Sequence, residues 1–197
     1  MQQVGQKMKQ KLSSHNSATG EKPSNIWAKL FSCIAKCQTK TLIEQYNAGV
    51  TLFDIRVKYN KVGVLYCKHG LAKYDKTLWD VCKEINNLNK QHRDKPVLMV
   101  TYEGKRNTEE ENDFFQDVYS TFSVYPHIYL GHVSVKKPEW RIIYNSPNQP
   151  AYICNYTKIV GWKALLPFPK LWQRINSKKI QAIRASHPHE LLMEDFV

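Results

Sequence analysis

Val50-Thr-Leu-Phe-Asp-Ile-Arg-Val-Lys-Tyr59 is the stretch from which the fold is read. Its β-branched and aromatic residues predict a strand, and the two charges inside it, Asp54 and Arg56, sit two apart and leave the same face. A carboxylate and a guanidinium on one face of an otherwise apolar strand point inward to a polar site or to an internal ion pair. Both readings stand at this level.

Outward from that strand, helix and strand signals alternate. Upstream, residues 1–8 read as a flexible tail, Lys9 to Ser14 as a first strand signal, and Ser14-His15-Asn16-Ser17 as a polar loop. Ser24 is an N-cap for a helix over Asn25 to Ala35, and Thr41 to Ala48 is a second helix ending at Gly49. Downstream, Lys61-Val-Gly63 turns the chain into a short strand, Val64 to Cys67, that leads to His69-Gly70-Leu71. Thr77 opens a helix to Lys90 with Leu78, Val81, Cys82, Ile85 and Leu88 on one stripe. Pro96 introduces Val97 to Tyr102, an apolar run of the buried parallel kind, with Glu103 at its end. Thr108 and Glu111 form a capping box for a helix to Phe122. Further strands are expected over Arg141 to Asn145 and Ala151 to Cys154. A helix from Phe168 to Asn176 and a last strand from Leu191 to Val197, containing Asp195, complete the pattern. The expected class is α/β, a single domain over 9–197 built as a βα sheet or barrel. An eight-fold barrel takes about 250 residues, so one made from 197 would be trimmed.

Composition narrows the partners. The chain has 29 Lys+Arg against 17 Asp+Glu, a formal net charge of +12. Nucleic acid, an anionic membrane surface or a phosphorylated substrate would each be attracted. No stretch approaches the roughly 20 apolar residues that span a bilayer. The polar start MQQVGQKMKQKL lacks the apolar middle of a secretory signal, so a cytoplasmic or membrane-peripheral location is expected, with secretion left open. Five scattered cysteines read as reduced thiols. Cys33 and Cys37 could be half a metal site, but no matching pair follows. His187-Pro188-His189 could offer two imidazoles, and Lys178-Lys179 a basic patch. Without further ligands or a recognised nucleic-acid motif, these read as solvated surface, with no specific nucleic acid and a monomer expected.

The residues able to do chemistry fall at strand ends. His15, His69, Arg56, Asp54, Glu103 and Asp195 would gather at the carboxyl rim of a parallel barrel. Two imidazoles, one guanidinium and three carboxylates suit phosphate-ester chemistry, with one histidine taking a proton, the other giving one, and the arginine offsetting phosphate charge. A carboxylate behind a histidine fixes its tautomer.

The motifs Ser14-His15-Asn16-Ser17, Trp27-Ala28-Lys29, Ala35-Lys36-Cys37-Gln38, Ile43-Glu44-Gln45-Tyr46-Asn47-Ala48-Gly49-Val50, Phe53-Asp54-Ile55-Arg56 and His69-Gly70-Leu71 resemble, in order and spacing, the X region of phosphatidylinositol-specific phospholipases C. The close part spans Leu12 to Glu103, and Leu192-Met-Glu-Asp195-Phe-Val looks like that family's last barrel strand. The resemblance implies a distorted TIM-type barrel that cleaves the glycerol–phosphate bond of phosphatidylinositol, giving diacylglycerol and inositol 1,2-cyclic phosphate. It implies His15 as general base oriented by Asp195, His69 as general acid, Arg56 on the phosphate, and Asp54 holding the site together. Trp27 falls in the rim segment with which bacterial relatives touch membranes. With Ile26, Leu30, Phe31 and the lysines around it, it would dock on anionic lipid or form the helix's core face.

The chain departs from both branches of the family. Asn16 and Glu103 stand where the calcium-dependent eukaryotic enzymes place ligands, so Ca²⁺ held by Asn16, Asp54 and Glu103 is the alternative. Arg56 takes the position of another such ligand and would repel the ion, which favours catalysis without a cofactor. No match is found near Lys136 to Arg141 for the bacterial sugar-binding arginine. Another phosphodiester (a glycosylated lipid anchor, a lysolipid, a glycerophosphodiester) or a catalytically inactive basic lipid- or nucleic-acid-binding module remain the competing functions.

Overall fold

The computed structural model describes residues 12–14, 16–26, 29, 37–90, 95–104, 108–135, 151–154, 181–182, 185 and 191–194. Eight strands and three α-helices are defined among them. They run β1 (Leu12–Ser14), a 3₁₀ turn (Ser17–Gly20), α1 (Leu42–Asn47), β2 (Val50–Tyr59), β3 (Leu65–His69), β4 (Ala72–Thr77), α2 (Leu78–Leu88), β5 (Val97–Tyr102), α3 (Thr108–Ser123), β6 (Tyr129–Ser134), β7 (Ala151–Cys154) and β8 (Leu191–Glu194).

β2 organises the sheet. Along Leu52–Val57 it pairs in parallel with β5, which pairs in turn with β6. On its other edge it pairs in parallel with β1, which leads through β8 to β7. Six parallel strands therefore lie in the order β7-β8-β1-β2-β5-β6. No pairing among the described residues joins β6 to β7, so the sheet is not closed there. This is the α/β architecture of a distorted TIM-type barrel.

The two faces of β2 do different work. Phe53, Ile55 and Val57 join Leu98 and Val100 of β5, Leu78, Val81, Cys82 and Ile85 of α2, and Phe114 and Val118 of α3 in one core. Burial of such side chains stabilises by about 1.5–3 kcal/mol each. The opposite face carries Asp54 and Arg56, both buried, as the spacing of two requires.

The local signals explain the ends of the elements. Thr41 caps α1 through a reciprocal box with Glu44, and Thr77 caps α2 the same way with Asp80. α3 starts at Thr108; the expected Thr108 cap lies outside the described side chains. The predicted β2, β5, β7 and α1 fit the observed elements closely, and α2 ends two residues sooner than expected, at Leu88.

Three differences matter. The sequence pattern after Gly70 predicts no element before Thr77, yet Ala72–Thr77 is a strand, with Ala72 and Tyr74 buried and Lys73 and Asp75 exposed in strict alternation. β6 has no clear sequence signal either, because Gly131 and His132 interrupt its apolar pattern. Most important, β3 is antiparallel to both β2 and β4. β2 overshoots the parallel sheet, turns at Asn60, whose Oδ1 accepts from the amides of Val62 and Val64 at 2.9 Å, and β3 comes back. His69 is thus delivered by a returning hairpin, not by the carboxyl end of a parallel strand as expected. The segments 141–145 and 168–176, and most of the helix expected over 25–35, lie outside the described residues. The strand expected to 197 is defined only as far as Glu194.

Candidate active site

Arg56 is the centre of the polar face. Its guanidinium is 5% exposed, with Nε 3.3 Å from Asp54 Oδ2 and Nη1 3.5 Å from Glu103 Oε1. Burial alone would lower its pKa; Asp54 and Glu103 outweigh that and raise it. The guanidinium bridges two carboxylates, one from within β2 and one from just beyond β5.

Asp54, fully buried, also accepts from the backbone N–H of Asn16 at 3.0 Å. That amide belongs to the peptide bond following His15, so the carboxylate that orients Arg56 also fixes the chain beside the candidate base. Asn16 has φ 46°, in the left-handed region. Asn tolerates that region better than most residues, which gives this position a conformational reason for Asn. Its Nδ2 lies 3.2 Å from Cys37 Sγ.

Glu103 makes four contacts. Oε1 lies 3.2 Å from His69 Nδ1 and 3.5 Å from Arg56, while Oε2 accepts from the Gly70 amide at 2.8 Å and stands 3.9 Å from Lys68 Nζ. Burial would push this carboxyl up, but the His69 hydrogen bond and charge, Arg56 and the Gly70 amide together hold it down at about 2. It is therefore ionised at neutral pH and accepts from His69 Nδ1–H, leaving Nε2 for a ligand. Gly70 adopts φ 57°, a conformation that glycine reaches without steric cost and that belongs to the turn between β3 and β4.

A cleft of about 380 Å³ opens beside these groups, lined by Arg56, Lys58, Lys68, Thr101, Tyr102, Glu103, Gly104 and Val135. Small-ligand sites start at about 300 Å³. Another depression, about 400 Å³ between the β2–β3 turn and α3, is lined by Val64, Trp79, Asp117 and Val124. Asp117 there accepts from Tyr59 OH at 2.7 Å, and no imidazole or guanidinium lines the depression, so it offers no comparable chemistry.

Of the residues singled out from sequence, Asn16, Asp54, Arg56, His69 and Glu103 converge. His15, Trp27 and Asp195 lie outside the described residues, as do His187, His189, Lys178, Lys179, Cys33 and the 136–141 segment. Lys58 and Lys68 line the cleft and were not foreseen. Lys58 continues the Asp54–Arg56 face of β2 by the same spacing of two, a signal that was present. Cys37, Cys67 and Cys82 are buried thiols.

Two of the side chains considered for calcium, Asp54 and Glu103, each set one carboxylate oxygen against the fixed positive charge of Arg56, Oδ2 3.3 Å from Nε and Oε1 3.5 Å from Nη1. No group of three or more His, Cys, Asp or Glu suited to a metal occurs among the described residues.

The sequence matches no protein-family model and no curated protein. Among solved structures, the fold is similar to a phosphatidylinositol-specific phospholipase C from Listeria monocytogenes. The TM-score is 0.66 at 16% identity, over 94% of this chain and 87% of that one. It is similar as well to mutants of the phosphatidylinositol-specific phospholipase C from Staphylococcus aureus. One has a TM-score of 0.64 at 12% identity over 94% and 84% of the two chains, and another 0.63 at 12% over 94% and 85%. At these identities the likeness establishes the barrel fold and leaves the chemistry to the residues.

Proposed function

We propose that this protein is a phosphodiesterase of the phosphatidylinositol-specific phospholipase C kind, cleaving the glycerol–phosphate bond by histidine acid–base catalysis. The observation that carries the reading is the junction at Glu103, where one ionised carboxylate joins an imidazole to a buried guanidinium that lines an open cleft.

In this reaction the inositol 2-hydroxyl oxygen attacks phosphorus and the bond from phosphorus to the glycerol oxygen breaks. His15 takes the hydroxyl proton, oriented by Asp195, and His69 gives its Nε2 proton to the departing oxygen. Diacylglycerol and inositol 1,2-cyclic phosphate leave, and the charge building on the phosphoryl oxygens faces Arg56. Asp54 and Glu103 fix the guanidinium, and Asp54 holds the amide that follows His15.

The mechanism is metal-independent in this reading, which the fixed charge of Arg56 against Asp54 and Glu103 favours. The substrate is presented by an anionic membrane surface. The net charge of +12 and the outward side chain of Ile26, 67% exposed beside Trp27 in sequence, favour that docking.

Incubation with phosphatidylinositol vesicles in EDTA, followed by phosphorus NMR, tests the proposal. Cyclic inositol phosphate is expected, with His15→Ala and His69→Ala each slower by roughly 10²–10⁴. Full activity in both variants would overturn the mechanism. Dependence of the rate on added calcium would overturn its metal-independent form.

A further inference from the structure

The charge of α3 is opposite to that of the chain. The helix holds Glu109, Glu110, Glu111, Asp113 and Asp117 and no lysine or arginine, in a protein of net charge +12. The three glutamates stand in its first turn, where the helix dipole favours them. Asp113 and Asp117 lie beyond that turn and four apart, a spacing at which like charges repel. Asp117 accepts from Tyr59 OH at 2.7 Å, and Asp113 has no lysine or arginine partner among the described residues.

These two acids line one end of a groove. A depression of about 420 Å³, bounded by Tyr59, Gly63, Glu110, Asp113 and Asp117, shares Gly63 and Asp117 with the depression of about 400 Å³ beside Val64, Trp79 and Val124. The first is acidic and the second apolar. Val64, Trp79 and Val124 are 41%, 47% and 55% exposed, and the Trp79 ring meets Tyr125 edge to face with 5.1 Å between ring centres. A braced, half-exposed tryptophan in a depression is a typical interface anchor. From Glu110 to Thr121 the helix runs about 17 Å, the reach of about five extended residues.

Charge decides the occupant. An anionic lipid surface would be repelled by these acids. A symmetric pairing of two copies through this face would set the same acids against each other. A basic segment would be attracted to them, and apolar side chains on it would displace water from Trp79 and Val124. We infer that the groove between α3 and the β2–β3 turn binds an extended basic segment of another protein. Its Lys or Arg side chains lie at Asp113 and Asp117, and its apolar side chains at Val64, Trp79 and Val124. The groove shares no lining residue with the Arg56–Glu103 cleft, so the inference goes beyond the phosphodiesterase reading and stands or falls without it.

Titration calorimetry with the terminally blocked peptides Lys-Arg-Ser-Leu-Leu and Leu-Leu-Ser-Arg-Lys, which cover both chain directions, tests this. At physiological salt the better of the two should bind about tenfold tighter than its forms with serine for both leucines or glutamate for both basic residues. Asp113→Lys and Val124→Lys, at exposed positions of the groove, should each weaken binding by about tenfold or more while keeping the native denaturation midpoint. Ile43→Lys, a matching exchange at an exposed position of α1 outside the groove, should bind as the native chain does.

No binding of either peptide up to about 1 mM, or equal binding of the serine form, would overturn the inference. So would binding that Asp113→Lys and Val124→Lys leave untouched, or that Ile43→Lys weakens as much. Groove binding in a chain that turns over no phosphodiester would leave the inference standing and remove the catalytic reading instead.

Discussion

Glu103 Oε1 lies 3.2 Å from His69 Nδ1 and 3.5 Å from Arg56 Nη1, so one carboxylate oxygen ties the imidazole to the guanidinium. The other oxygen accepts from the Gly70 amide and so takes up the turn beside His69. Any displacement of Glu103 moves the candidate acid and the candidate phosphate ligand together.

Removing that charge should be felt in stability as well as in catalysis. The Glu103 pKa is lowered from 4.5 to about 2 in the folded chain, so its contribution is fully present above the unfolded value and is lost as pH falls from about 4.5 towards 2. The span corresponds to something on the order of 3 kcal/mol. In Glu103→Gln, the acid limb of a stability–pH curve from urea denaturation should flatten by that order, and phosphodiesterase turnover should fall by about 10². An unchanged acid limb would mean the carboxylate is not ionised by these partners.

Gly70 and Gly63 offer a matched pair. Both have positive φ, 57° and 78°, and an added Cβ would meet nothing within 4 Å at either. Gly70→Ala and Gly63→Ala should therefore each cost about 1 kcal/mol from backbone strain alone. Only Gly70 donates to Glu103, so only Gly70→Ala should also slow turnover beyond the loss of folded protein. Equal activities in the two variants would separate the Gly70 contact from catalysis.

Arg56→Lys keeps the charge and loses the fork. A single ammonium cannot hold Asp54 and Glu103 at once as the planar guanidinium does. Destabilisation of about 2 kcal/mol by denaturant titration is expected, since one buried or half-buried carboxylate loses its charged partner. Turnover should fall by at least about tenfold, and a variant as active as the native chain would show that the fork is dispensable.

Gln45 supports the first strand from behind. It is fully buried, accepts from Ser14 Oγ at 2.5 Å, and donates to the carbonyls of Ser17 and Lys40 at 2.8 and 2.7 Å. Gln45→Leu would leave those groups without these bonds in a dry interior, at about 3 kcal/mol in total. The denaturation midpoint should drop with an unchanged slope; a shift below about 0.5 kcal/mol would mean the segment relaxes freely.

Local pattern specifies the individual elements. The apolar runs of β2 and β5, the stripe of α2 and the Thr77 cap are set by interactions within four residues or by strand alternation, so spacing reveals them. Asp54 and Arg56 on one face follow from the same rule, and the resemblance of the first half to phospholipases C pointed to His69 and Glu103 by position. The alternation of β4 was equally present, but its Lys and Asp content hid it behind low strand propensity.

Which of these groups meet follows from strand pairing over long sequence separations. Glu103 and His69 are 34 residues apart, and Asn16 and Asp54 are 38 apart. Their contacts depend on the parallel pairing of β2 with β1 and β5 and on the antiparallel return of β3, which no local pattern encodes. That return is also what brings Lys68 to the cleft beside Arg56.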